Sequence, residues 1–160
     1  MSQTCLDCVH RSDRFFCDLP PDALAALDGI RSFRACPKGT FLFREGQAAR
    51  GIFVVCQGRF RLSVCSENGR RLTLRLVSAG EVLGLSAALT GSVCEVTAQA
   101  IEDGRVALVR RRDLLRFLSA HSDTCMHVVN LLSDDLQLAY DRVRAVGLGR
   151  ARRPRSTSVH

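Results

Sequence analysis

Gly58-Arg59-Phe60-Arg61-Leu62-Ser63-Val64-Cys65-Ser66-Glu67-Asn68-Gly69-Arg70-Arg71-Leu72-Thr73-Leu74-Arg75-Leu76-Val77 is the stretch that decides the fold. Phe60, Leu62 and Val64 alternate with Arg59, Arg61 and Ser63, the period of a strand buried on one face only. Leu72, Leu74 and Leu76 then alternate with Thr73, Arg75 and Val77. Asn68-Gly69 between the two runs supplies the positive φ angles of a tight type I′ turn, so Arg59 to Val77 is expected to form one hairpin. Working outward, Gly46, Gly58, Gly69, Gly80 and Gly91 recur at intervals of 12, 11, 11 and 11 residues, between short segments rich in β-branched, aromatic and arginine side chains. Short strands punctuated at that rhythm imply a mainly β chain folded as a compact roll or barrel.

At 160 residues and 46% hydrophobic, the chain has material for one core and not for two ordinary domains. No apolar run approaches the roughly 18 to 20 residues that span a bilayer, and Met1-Ser2-Gln3-Thr4 leads into Cys5 and Asp7 without an apolar export segment. No membrane role is expected, and the cytoplasm is the expected compartment. The formal charge of +7 favours an anionic partner, yet Lys38 is the only lysine among 23 basic residues, a bias that genome composition explains as well as a binding surface does. Arg110-Arg111-Arg112 and then Arg142, Arg144, Arg150, Arg152, Arg153 and Arg155 crowd the C-terminal end. They read either as salt-sensitive attraction to phosphate backbones or as a solvated helix face and tail.

Residues 1–18 hold three of the eight cysteines without any periodicity and read as an irregular Cys-rich segment. Residues 19–121 read as the roll with a short leading helix. Leu19-Pro20-Pro21-Asp22 starts that helix, because proline fits a first turn, Asp22 favours the positive helix end, and Leu24, Leu27 and Ile30 recur at helical spacing. Gly39 to Val109 carries the strands, with a short helical turn within Gly80 to Leu89. Over residues 122–149 the pattern becomes helical: Cys125, Val129, Leu132, Leu136, Ala139, Val143 and Val146 follow steps of 4, 3, 4, 3, 4 and 3. That spacing is a coiled-coil seam, flanked by polar Asn130, Gln137 and Arg144 on one side. Leu131, Leu138 and Ala145 on the other flank widen the stripe enough to face both the roll and a partner. A homodimer along this helix is expected, the alternative being a helix packed only on its own roll. Gly147-Leu148-Gly149 is expected to stop it, and residues 150–160 to form a disordered basic tail.

Three motifs in order carry a family resemblance. Pro37-Lys38-Gly39-Thr40-Phe41-Leu42-Phe43-Arg44-Glu45-Gly46-Gln47, Gly51-Ile52-Phe53-Val54-Val55-Cys56-Gln57-Gly58 and Ala79-Gly80-Glu81-Val82-Leu83-Gly84 resemble the cyclic-nucleotide-binding-type β-roll of the CRP/FNR superfamily of bacterial transcription regulators. The resemblance implies a double-stranded β-helix or jelly roll followed by a long dimerisation helix. In those regulators the helix leads into a winged helix-turn-helix that enters the DNA major groove. The resemblance covers only the sensory and dimerisation half of that architecture. The expected origin of this sequence is a stand-alone module, a gene product cut short near Arg150 or a segment excised there, and DNA contact is expected only if a longer chain or a partner supplies the reading domain.

The resemblance also implies where a cyclic nucleotide would sit. Members that bind cyclic AMP place a Glu for the ribose just after the second glycine of the Gly-Asp/Glu-x-x-Gly step, and an Arg-Ser/Thr pair further along for the cyclic phosphate. Here Gly84 is followed by Leu85, and Cys94 and Glu95 occupy the Arg-Ser/Thr places. An anionic phosphate in a partly buried pocket needs a cationic, donor-rich clamp that cysteine does not supply, and Glu95 would add repulsion. Cyclic AMP is therefore not the expected ligand. A different small ligand in the same cavity stays open, with Arg59, Arg61 or Arg75 as candidates to hold an anion.

Cys5-x2-Cys8-x8-Cys17, with His10 between, is the strongest chemical constellation. Such spacing in a cytosolic chain reads as metal binding or redox chemistry, which leaves a [4Fe–4S] cluster, zinc and thiol redox sensing open. The anaerobic regulators of the resembled family hold a [4Fe–4S] cluster on an N-terminal cysteine group plus a late cysteine of the roll. Here the third cysteine is more widely spaced, and Glu102-Asp103-Gly104 stands where the late thiol belongs, so the fourth ligand would be Cys94 or His10. Cys56, Cys65 and Cys125 read as small buried hydrophobes.

No enzyme is expected. Cupin-type metal catalysis needs histidines on the strands, whereas His10, His121, His127 and His160 all lie outside the strand-bearing Gly39 to Val109, and no phosphate loop or nucleophile elbow occurs. The expected function is a sensory and dimerisation module of a CRP/FNR-type regulator, its signal redox or oxygen through the cysteines. The alternatives are a small-ligand-binding regulatory protein and a truncated regulator acting only as a dimerisation partner.

Overall fold

The computed structural model describes residues 20–151, with side chains described from residue 20 to 145. The expected Cys-rich segment 1–18 lies outside that range. So does the tail from residue 152 on. In chain order the elements are α1 (Pro21–Asp28), β1 (Arg31–Cys36), β2 (Phe41–Phe43), β3 (Gly51–Gln57), β4 (Phe60–Cys65), β5 (Arg71–Val77), β6 (Val82–Leu83), α2 (Leu85–Thr90), β7 (Thr97–Ala100), β8 (Gly104–Arg110), α3 (Arg111–Ala120) and α4 (Asp123–Ala151). Two four-stranded antiparallel sheets, ordered β1-β8-β3-β6 and β2-β7-β4-β5, make the roll.

Two cores lie on opposite faces of the first sheet. Between the sheets sit Phe43, Phe53, Val55, Phe60, Val77, Leu83, Val106 and Leu108. On the outer face Leu24 and Leu27 of α1, Leu85 and Ala88 of α2, Leu114 and Phe117 of α3 and Val128 of α4 cover Ile52, Val54, Ala107 and Val109. Strands β3 and β8 are therefore buried on both faces, which is why Ile52 to Val55 and Val106 to Val109 read as unbroken apolar runs.

The glycine rhythm marks left-handed turns: Gly46, Gly58, Gly69, Gly80 and Gly91 all have positive φ, between 73° and 92°. The hairpin forms, but its turn differs from the expected type I′. Gly69 N–H donates to the Ser66 carbonyl (3.0 Å) and Ser66 N–H to the Arg70 carbonyl (2.7 Å), so Glu67 and Asn68 turn the chain and Gly69 supplies the left-handed step after them. The register also slips between Leu62 and Ser63, which face Arg75 and Thr73 and leave Leu74 as an extra residue on β5. Phe60 and Leu62 reach the inter-sheet core and Val64 does not, while Leu72 and Leu76 lie exposed.

Two helical features depart from the sequence reading. Helix α3 lies within the range assigned to the roll, and the Leu114, Leu115, Phe117, Leu118 pattern is its missed signal. Helix α4 runs through Gly147 and Gly149 to Ala151 instead of stopping there. Glycine costs a helix about 1 kcal/mol per residue, which weakens a helix without ending it.

Close backbone approach, rather than left-handed geometry, dictates Gly51. A Cβ there would lie 2.0 Å from the Val109 carbonyl oxygen of β8. At Gly69 the same Cβ would meet nothing within 4 Å, and only its φ of 83° resists substitution. Gly51→Ala is expected to lower the unfolding free energy of the chain by about 3 kcal/mol in urea titrations, against about 1 kcal/mol for Gly69→Ala.

Candidate functional site

Where the edges of the two sheets meet, a cleft of about 350 Å³ opens, lined by residues from β1, β2, the turn after it, the start of β3, Gly84 and Cys94. Backbone pairing fixes its wall. Gly46 N–H donates to the Cys94 carbonyl and Cys94 N–H to the Gln47 carbonyl, both at 2.8 Å, so the turn after β2 is pinned to the segment before β7. Gly84, with φ of 81°, caps α2 in the left-handed region, and a Cβ on it would come within 3.2 Å of the Gly51 carbonyl oxygen. The apolar lining is Phe41, Leu42, Phe43 and Phe53, with the Phe43 and Phe53 rings stacked at 5.8 Å.

Of the residues singled out in the sequence, Gly84 and Cys94 line the cleft together. Leu85 is the first residue of α2 and is buried in the helix-side core, and Glu95 is exposed outside the lining. The arginines expected to rescue an anion do not line the cleft, because each is committed elsewhere. Arg59 pairs with Glu102 at 3.1 Å, Arg61 donates to Gln99 Oε1 at 3.4 Å, and Arg75 bridges Glu81 at 2.8 Å and Asp135 of α4 at 3.8 Å. Arg34, Arg44 and Arg50 line it instead. Their signal in the sequence is positional: Arg44 and Arg50 bracket the turn between Phe43 and Gly51, which the first two motifs straddle.

The cysteine group Cys5, Cys8 and Cys17, with His10, lies outside the described residues. Among the described residues, no group of three or more His, Cys, Asp or Glu side chains could hold a metal. Burial pushes the Cys94 thiol up, and Glu95 adds to the shift; burial does the same to Cys36, with Arg34 pulling the other way. Cys94 is thus a neutral thiol at neutral pH. The described residues do not fit an iron–sulfur site on their own. Cys65 and Cys125 are exposed, so these two are not the small buried hydrophobes expected, whereas Cys56 is half-buried and packs against the helix-side core. Cys65 ends a strand at the hairpin loop, and Cys125, near the start of α4, donates its thiol to the Leu118 carbonyl of α3 at 3.7 Å.

The seam of α4 is divided. Thr124 and Val128 are buried and Leu131 and Leu132 pack partly against the helix-side core, while every described residue from Ser133 to Ala145 is exposed. Val129, Leu136, Ala139 and Val143 of the expected seam face solvent, Val143 at 70% exposure; the side chain of Val146 lies outside the described residues. Arg142 Nη2 donates to the Thr73 carbonyl of β5 at 2.9 Å, tying the far part of α4 to the hairpin.

Thiol titration at neutral pH is expected to modify Cys65 and Cys125 rapidly and Cys94 and Cys36 slowly. The slow pair should accelerate only at alkaline pH, because a raised thiol pKa leaves less thiolate at neutrality. Peptide mapping after partial labelling gives the order.

The family "Cyclic nucleotide-binding domain" matches residues 33–121, more than half of the chain. The anaerobic regulatory protein of Bacillus subtilis is 24% identical over 124 residues, 77% of this chain and 52% of that protein. The cyclic AMP receptor protein of Thermus thermophilus is 28% identical over 110 residues, 66% of this chain and 51% of that protein. The chain therefore spans about half the length of these curated relatives. The crystal structure of the Thermus thermophilus catabolite activator protein superposes with a TM-score of 0.75 at 25% identity, covering 86% of this chain and 65% of that one. These relatives are regulators, and among the described residues no helix is long and apolar enough to cross a membrane. Sheet architecture, motif order and relatives together show that this chain belongs to the cyclic nucleotide-binding domain family and is homologous to regulators of the CRP/FNR type.

Proposed function

We propose that this chain is the sensory and dimerisation module of a CRP/FNR-type transcription regulator, regulatory rather than catalytic, in which a small molecule in the cleft biases how α4 is held. The observation that carries the reading is the bare apolar seam of α4. Beyond Leu132 the helix has no core of its own to cover, yet Leu136, Leu138, Tyr140 and Val143 remain apolar or aromatic on its exposed surface. A second copy of the helix is the occupant that a heptad seam fits. DNA contact then depends on a reading domain carried by a longer chain or by a partner.

Communication from the cleft to that helix has a physical route. Gly84 lines the cleft and follows β6, and Glu81 precedes β6. The Glu81 carboxylate accepts from Ser78 N–H at 2.8 Å and from Arg75 at 2.8 Å, and Arg75 reaches Asp135 at 3.8 Å. A ligand that shifts the Gly84 turn thus changes the geometry of the same guanidinium that holds α4. Coupling of this kind is a difference in affinity between two arrangements of the helix.

Sedimentation velocity at micromolar concentration is expected to show a homodimer. Leu136→Glu combined with Val143→Glu should give a monomer with unchanged far-ultraviolet circular dichroism, because each change places a charge in an apolar seam. A wild-type chain that stays monomeric would sink the reading. For the route, Arg75→Gln is expected to speed hydrogen exchange across Ser133 to Ala145. Adding Asp135→Asn should produce little further change, since both act on one contact.

A further inference from the structure

Arg34, Arg44 and Arg50 approach the cleft from three different elements: β1, the turn after β2 and the residue before β3. None has a carboxylate partner among the described residues, whereas Arg31, Arg59, Arg75 and Arg144 each do. Among the described residues, no Asp or Glu lines the cleft. Glu45, the acid in the same turn, is taken up elsewhere: its Oε1 accepts from Cys65 N–H at 3.0 Å, and its own N–H donates to Thr97 Oγ1 at 2.9 Å. Gln47 accepts from Arg44 N–H through Oε1 at 2.8 Å, and its amide NH2 has no partner among the described residues. Arg44 lies with its guanidinium 3.8 Å from the centre of the Phe41 ring, which holds the charge over an aromatic wall.

Three like charges around one small opening repel one another, and nothing in the described structure neutralises them. An anion between them would convert that repulsion into attraction, with guanidinium forks that grip carboxylate or phosphate oxygens in pairs. Phe41, Phe43 and Phe53 behind them supply an apolar wall for the body of a ligand, and 350 Å³ is at the small end of the range for metabolite pockets.

We propose that the cleft is a binding site for a small organic anion carrying two anionic groups on an apolar or aromatic frame, held by Arg34, Arg44 and Arg50. This deepens the sensory reading above and rests on it for physiological meaning. The clamp lies at positions different from Leu85, Cys94 and Glu95, where a cyclic nucleotide would be gripped. The shared chemistry is the paired anion, and its source is a phosphate or a carboxylate compound.

Two probes separate those sources: inorganic pyrophosphate and benzene-1,3-dicarboxylate, each added to the full chain at constant ionic strength set with sodium chloride. Thermal unfolding and isothermal titration are the readouts, with cyclic AMP as a third arm. At saturation one or both dianionic probes should raise the melting temperature by about 5 °C, and cyclic AMP should shift it less. The variant carrying Arg34→Gln, Arg44→Gln and Arg50→Gln should lose that shift, and each single change should weaken binding at least about tenfold. Without ligand the triple variant should melt within about 3 °C of wild type, since relief of the mutual repulsion offsets loss of the Arg44–Phe41 contact, and this shows that it is folded. No shift by either dianion, an equal shift in the triple variant, or a response confined to cyclic AMP would overturn the proposal. Dimerisation measured on the same samples tests the sensory reading separately.

Discussion

Strand β3 has no free face. Ile52 and Val54 are covered by helices, Phe53 and Val55 by the second sheet, and its first residue must come so close to β8 that a single methyl group would collide with the Val109 carbonyl. The whole roll is arranged about that doubly covered pair. The helices hold one side of it, the hairpin sheet closes the other, and the cleft opens at the end where Gly51 and Gly84 let two backbones meet. Gly58 and Gly104 make a similar contact at the opposite end, where a Cβ on Gly58 would lie 2.7 Å from the Gly104 Cα. Packing at that density transmits displacement rather than absorbing it. A roll pinned at both ends of its central strand is consequently a stiff frame, and the parts free to respond are those hung on it: the hairpin and the distal part of α4.

How much of this was legible in the chain depends on the range of the forces involved. Gly46, Gly58, Gly69, Gly80 and Gly91 announced the strands because left-handed geometry is a property of a residue and its neighbours. The turn type at Asn68-Gly69 was misread because one additional residue changes which position must be left-handed, and the extra residue on β5 has no local signature. Gly147 and Gly149 were over-read as a stop, since glycine lowers helix propensity without forbidding a helix.

The cleft was half visible for the same reason. Gly84 and Cys94 could be placed by their motif, whereas the guanidinium groups around them come from three elements, and nothing in the spacing of Arg34, Arg44 and Arg50 says that they converge. Equally, Arg59, Arg61 and Arg75 looked available until their partners Glu102, Gln99, Glu81 and Asp135 were in place, all but Glu81 at least 38 residues away in the chain. Availability of a charge is a tertiary property. A chain with 22 arginines cannot disclose it in one dimension.

Arg142 carries a different implication. In the second sheet β5 is an outer strand, exposed along much of its length, with Leu72 and Leu76 on its surface. Such a margin offers unpaired backbone groups to any passing chain in search of a ladder. By donating to the Thr73 carbonyl, the Arg142 guanidinium occupies one of those groups, and Arg75 with Asp135 lays the helix alongside. The long helix is thus also a guard rail for the roll: it keeps an apolar border from recruiting foreign strands, and a chain shortened ahead of it would be left with an adhesive edge.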